Sequence, residues 1–127
     1  MTNYQDMCNE VLQLDRSIRY VGLADHLGTL VATSYRPGLV PLATREETEA
    51  YTRQAIQRMG AVQGGTKVGR LEYIVGRFSN LLRATIPVVS SRQDKFYLML
   101  SIDAGSDPIK MIENKVLPQI EKSKKWL

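Results

Sequence analysis

The stretch RYVGLADHLGTLVATSY, residues 19–35, sets two apolar runs back to back around Asp25-His26-Leu27-Gly28. Its β-branched and aromatic residues favour extended backbone. The four central residues carry turn chemistry: an aspartate that bonds its own backbone and a glycine that accepts a positive φ. The stretch therefore predicts a β-hairpin, with strands over 18–24 and 29–35 and four residues at the tip. Asp25 and His26 are then turn residues first. A catalytic role for this acid and the chain's single histidine requires a nucleophile or metal brought from elsewhere.

Upstream of the hairpin, Tyr4, Met7, Val11 and Leu14 recur at spacings of three and four, with Cys8 and Leu12 widening the stripe. That pattern predicts an amphipathic helix over residues 3–15. Downstream, Arg36-Pro37-Gly38 and Pro41 break the sheet. Thr44-Arg45-Glu46-Glu47 then matches the Ser/Thr-x-x-Glu capping box, which satisfies orphan N–H groups at a helix start. A second helix follows over 45–62, with Tyr51, Ala55, Ile56, Met59 and Val62 on its apolar stripe and Gly64-Gly65 as its C-terminal stop. Strand patterns recur over 69–77, 81–89 and 95–103. Asp107-Pro108 opens a last helix, aspartate as N-cap and proline at the first helical position. Within it Pro118 cannot donate to the Asn114 carbonyl, which predicts a kink or an early end.

The chain has 127 residues, within the usual size of a single domain with its own core, and one domain over 1–127 is expected. Seventeen basic against thirteen acidic residues give a net charge of +4, spread along the chain, which does not predict nucleic-acid binding. One cysteine and one histidine supply neither a disulfide nor a tetrahedral Cys/His zinc set, and no cofactor is expected. No apolar run approaches the roughly 18 residues of a membrane span, and the N-terminal residues lack a signal-peptide pattern, so a cytoplasmic location is expected.

A strand covered on both sides must be apolar at odd and even positions alike. The fifth strand satisfies this, with Phe96, Leu98, Leu100 and Ile102 opposing Tyr97 and Met99. So does the first, where Val21 and Leu23 oppose Ile18, Tyr20 and Ala24. The fourth is one-sided, Leu82, Ala84, Ile86 and Val88 opposing Arg83, Thr85 and Pro87, and belongs nearer an edge. The expected fold is α/β of the α+β kind: the order αββαβββα, a mainly antiparallel five-stranded sheet with strands one and five central, and helices on both faces.

This layout resembles the Roadblock, longin and profilin-like group of small domains, most closely the Roadblock version, with a helix before the first hairpin and one after the last strand. Through IRYVGLADHLGTLVA, LEYIVGRFSNLLRATIPV and MIENKVLPQIEK the chain also resembles a group of stand-alone archaeal domains of uncharacterised role. The resemblance implies no active site to match. It implies a non-enzymatic interaction or regulatory domain, a homodimer built on the second helix and third strand, here around Tyr51, Ile56, Met59, Leu71, Tyr73 and Val75, and a partner such as a small GTPase. A profilin-like sheet can instead hold a small molecule, and Tyr20, Tyr97 and Met99 are the candidate lining. A cavity of about 300 Å³ or more favours that alternative.

Other segments carry weaker chemistry. GGTKVGR, residues 64–70, has phosphate-loop residue types, but its glycines follow a helix and precede a strand, the reverse of a P-loop. Arg70, Arg77 and Arg83 make a candidate basic patch, and Lys122, Lys124, Lys125 and Trp126 a candidate acidic-surface contact, although cations also suit a helix C-terminus.

Overall fold

The hairpin forms where its residues require. β1 (Ile18–Asp25) and β2 (Leu30–Tyr35) pair antiparallel across the turn. Asp25 Oδ1 accepts from the amides of Leu27 at 2.9 Å and Thr29 at 3.0 Å, and Gly28 takes φ +86°. The computed structural model describes residues 3–61 and 67–127. Around the hairpin stand α1 (Tyr4–Leu12), α2 (Arg45–Ala61), β3 (Ile74–Arg77), β4 (Leu81–Val89) and β5 (Lys95–Asp103). The C-terminal helix is composite: α3 (Pro108–Met111), a π-helical turn over Ile112–Val116, α4 (Leu117–Ser123) and a closing 3₁₀ turn over Lys124–Trp126.

The five-stranded antiparallel sheet has the order β2-β1-β5-β4-β3, so β1 and β5 are central, as their two-faced apolar pattern requires. One face carries the larger core: Met7, Cys8 and Val11 of α1, the inner rows of β1, β4 and β5, and Ile112, Val116 and Ile120 of the C-terminal helix. The other face carries a smaller core, in which Ala55 and Met59 of α2 cover Tyr20, Tyr97 and Met99.

Local signals fixed several ends. The capping box closes reciprocally, the Thr44 amide donating to Glu47 Oε1 at 2.9 Å and the Glu47 amide to Thr44 Oγ1 at 3.1 Å. Asp107 caps α3 by accepting from the Lys110 amide at 3.1 Å. Gly64-Gly65, the expected stop of α2, lies outside the described residues, as does much of GGTKVGR.

Four expectations change. α1 ends at Leu12 rather than 15, because the Leu14 amide tightens onto the Val11 carbonyl and Asp15 Oδ1 then captures the amide and hydroxyl of Ser17. Ile18 lies on the same face as Val21 and Leu23, because the register slips between Ile18 and Tyr20 and the bulge inverts the alternation there. Pro118 neither ends the helix nor is met by regular α-structure: the Leu117 amide reaches back five residues to the Ile112 carbonyl, and the widened turn absorbs the missing donor. β3 begins at Ile74 rather than 69. Its ladder with β4 ends at Ile74–Thr85, and two residues further the register would set Glu72 opposite Pro87, which has no N–H to donate.

Candidate functional site

Among the described residues the outer edge of β4 therefore has no partner strand over 86–89, and the segment 69–72 forms no ladder with it. A groove of about 790 Å³ opens in that space. Its lining comes from both layers. Met59, Leu71 and Tyr97 belong to the α2 side, and Val88, Leu117 and Ile120 to the side of the C-terminal helix.

The charged residues of the groove are sorted by position. Glu72 and Glu113 line the part nearest β3, where the Tyr73 hydroxyl, one residue before the Ile74–Thr85 pair, donates to Glu113 Oε2 at 2.5 Å. Hydrogen bonding to that carboxylate, first among its causes, raises the Tyr73 phenol above its ordinary value. Lys95 faces Val89 across the β4–β5 ladder at the other end. Lys124 is brought to that end by the Ser91 amide, which donates to the Lys124 carbonyl at 3.3 Å, and its ammonium pairs with Glu121 at 2.9 Å. Lys95 makes no ion pair among the described residues, and its ammonium lies 5.8 Å from the centre of the Tyr97 ring.

Of the three residues read as a ligand lining, Tyr97 borders this groove. Tyr20 and Met99 border a separate cavity of about 40 Å³, room for a water but not for a ligand. Sequence reasoning did not find Pro87, Leu117 or Lys95 as groove residues. The signal available was Pro87 inside a strand pattern, which marks a stretch whose outer neighbour is missing.

The residues read as an interface lie at the other rim of the same region. β3 is the outermost strand, and Tyr51, Ile56, Leu71, Tyr73 and Val75 are half-buried around it. Met59 is 2% exposed and belongs to the core beneath α2. Arg83 stacks 3.9 Å from the Tyr51 ring centre and 5.0 Å from that of Phe78, so this arginine of the candidate basic patch is tied to aromatic faces.

Asp25 and His26 remain at the hairpin tip, with the Asp25 carboxylate engaged by turn amides. The Cys8 thiol is buried and pushed up to about 12 by desolvation, so it is protonated near neutrality. Among the described residues no group of three His, Cys, Asp or Glu side chains is placed to hold a metal, and no helix is long and apolar enough to cross a membrane.

Solved structures share this fold. A Roadblock/LC7 domain from Streptomyces avermitilis superposes with a TM-score of 0.71 at 10% identity, covering 98% of each chain. An MglB structure with a tetrameric arrangement gives 0.70 at 16% identity, over 92% of this chain and 82% of that one. Acanthamoeba castellanii profilin IA gives 0.50 at 14% identity, over 98% and 95%. At these identities the likeness is one of fold: the chain has a Roadblock-like α+β architecture. No family model and no curated protein matches it.

Proposed function

We propose that the protein, as a single domain over residues 1–127, is a non-enzymatic interaction or regulatory module that pairs with a second copy of itself. The observation that carries this reading is the outer edge of β3, a four-residue strand at the rim of the sheet that pairs with no further strand among the described residues and has half-buried apolar residues on either side. An edge of this kind is a template for another strand. A twofold pairing of β3 with its copy makes one continuous sheet, and Tyr51 and Ile56 of α2 with Leu71, Tyr73 and Val75 supply the contact, supported from beneath by Met59. The paired surface is offered to a protein partner in the cytoplasm, a small GTPase by the Roadblock resemblance. Kinship with the stand-alone archaeal domains belongs to the same reading.

The test is the mass in solution. The wild-type chain is expected to sediment at twice its own mass at micromolar concentration, and Ile56→Arg and Leu71→Lys at the monomer mass with unchanged circular dichroism. A wild-type monomer at tens of micromolar overturns the pairing.

The groove beside Pro87 favours a second reading, a small-molecule-sensing domain of profilin-like fold, because its volume lies within the usual range of ligand sites, about 300 to 1,000 Å³.

A further inference from the structure

We propose that the groove beside Pro87 binds a monomeric anionic amphiphile, an unbranched alkyl chain ending in a carboxylate, with the chain on the apolar floor and the acid group at Lys95. This rests on the small-molecule reading and names its ligand class.

Shape selects the chain. The groove passes from Met59 and Tyr97 beneath α2, around the open edge of β4, to Leu117 and Ile120 of the C-terminal helix. A rigid ring system does not follow that path around a strand edge, whereas an alkyl chain with free torsions does. Both halves of the floor carry apolar side chains, which favours burial of methylenes.

Charge selects the head and its direction. Lys95 is exposed at the groove mouth and without an ion pair among the described residues. Arg70 also lines the groove. Lys124 stands at the same end through its carbonyl's bond to Ser91. One lining acid, Glu121, accompanies Lys95 and Lys124 at that end, and it is already paired with Lys124. Toward β3 the charges are Glu113, held by the Tyr73 hydroxyl beside the Ile74–Thr85 pair, and Glu72, next to Tyr73 in the chain. Residues 113 and 124 are separated by roughly 16 Å of helix at the standard rise, so the groove is positive at one end and negative at the other. A carboxylate is drawn to Lys95 and repelled from Glu72 and Glu113, which fixes one orientation of the ligand.

Calorimetric titration of the whole chain tests this with three probes of equal chain length, decanoate, decanol and decyltrimethylammonium, each below its aggregation limit. Decanoate is expected to bind saturably at one per chain. Lys95→Glu is expected to weaken decanoate about tenfold or more, the effect of losing a charge-assisted contact, and to leave decanol unchanged. Leu117→Glu is expected to abolish both. Lys95 is exposed, so its variant keeps the fold and the test stands if Leu117→Glu does not. Equal decanoate affinity in Lys95→Glu overturns the proposal, as does association with anionic vesicles without binding of free decanoate. Saturable decanol binding lost in Leu117→Glu, with no decanoate binding, overturns the ligand class and keeps the small-molecule reading. No saturable binding of any probe overturns both.

Discussion

Tyr20 buries its hydroxyl without a hydrogen-bond partner among the described residues, while its ring packs 4.9 Å from that of Tyr35. Burial, then the neighbouring Tyr35 and Cys8, pushes this phenol well above its ordinary value. The ring lies along its own strand over Gly22, where a Cβ would meet the Tyr20 hydroxyl and come within 2.9 Å of Cζ and 3.0 Å of Leu30 Cδ2. Gly22→Ala is therefore expected to destabilise the fold by about 1–3 kcal/mol, the usual effect of overpacking. Tyr20→Phe removes an unsatisfied polar atom and is expected to leave stability unchanged or raise it by about 1 kcal/mol. Denaturant unfolding of both variants checks the pair of signs; a loss of stability in Tyr20→Phe shows a hidden partner for the hydroxyl.

At the scale of elements, long-range ion pairs fasten chain segments that meet nowhere else in sequence. Lys115 in the π turn reaches Asp15 at 2.8 Å, and Asp103 at the end of β5 holds Arg36 at 2.9 Å and Arg19 at 3.2 Å. Lys115 first, then the Ser17 amide and hydroxyl, lowers the Asp15 carboxyl to about 2, and Arg36 foremost lowers Asp103. A folded value below the unfolded one means the contribution is complete above about pH 4 and disappears as pH falls through the folded value. The melting temperature is expected to decline between about pH 4 and 2, less steeply in Lys115→Met. Pro87 invites a second element-scale test. Pro87→Val restores a strand donor, so amides of residues 70–73 are expected to gain exchange protection as β3 lengthens, and the groove to narrow. Unchanged protection would mean that 69–72 is held off by something other than the proline.

These same elements mark how far the sequence could be read. β4, β5, the Thr44 box and the Asp107-Pro108 start were legible because each signal lies within a few residues of its effect. β3 overran because what stops it sits on the neighbouring strand, and alternation within 69–73 carries no trace of Pro87. Ile18 turned to the other face through a bulge, which propensity does not reveal. Of the groove, Tyr97 could be suspected from its row; Leu117 and Lys95 join it through register and helix placement that no local pattern encodes.

For the whole molecule, the two cores differ in size. The sheet face under α1 and the C-terminal helix holds Leu23, Leu98, Leu100 and Ile102 at full burial, whereas α2 is attached chiefly through Ala55, Met59 and their half-buried neighbours. Leu98→Ala is expected to cost about 2–5 kcal/mol and to lower global unfolding in one step. Met59→Ala is expected to loosen α2 first, so that its amides exchange faster while β1 and β5 keep their protection. Native-state hydrogen exchange separates these outcomes, and simultaneous loss of protection in α2 and β5 contradicts the unequal attachment.

The interruption of the ladder at Pro87 has one more consequence. A pleated layer walls off the oily compartments above and below it, so that each repacks independently. Here the wall has a doorway, bordered by Met59 and Tyr97 on one side and by Val88 and Ile120 on the other. Whatever stands in it touches both compartments at once, so an occupant would link the position of α2 to that of the C-terminal helix without passing through the sheet.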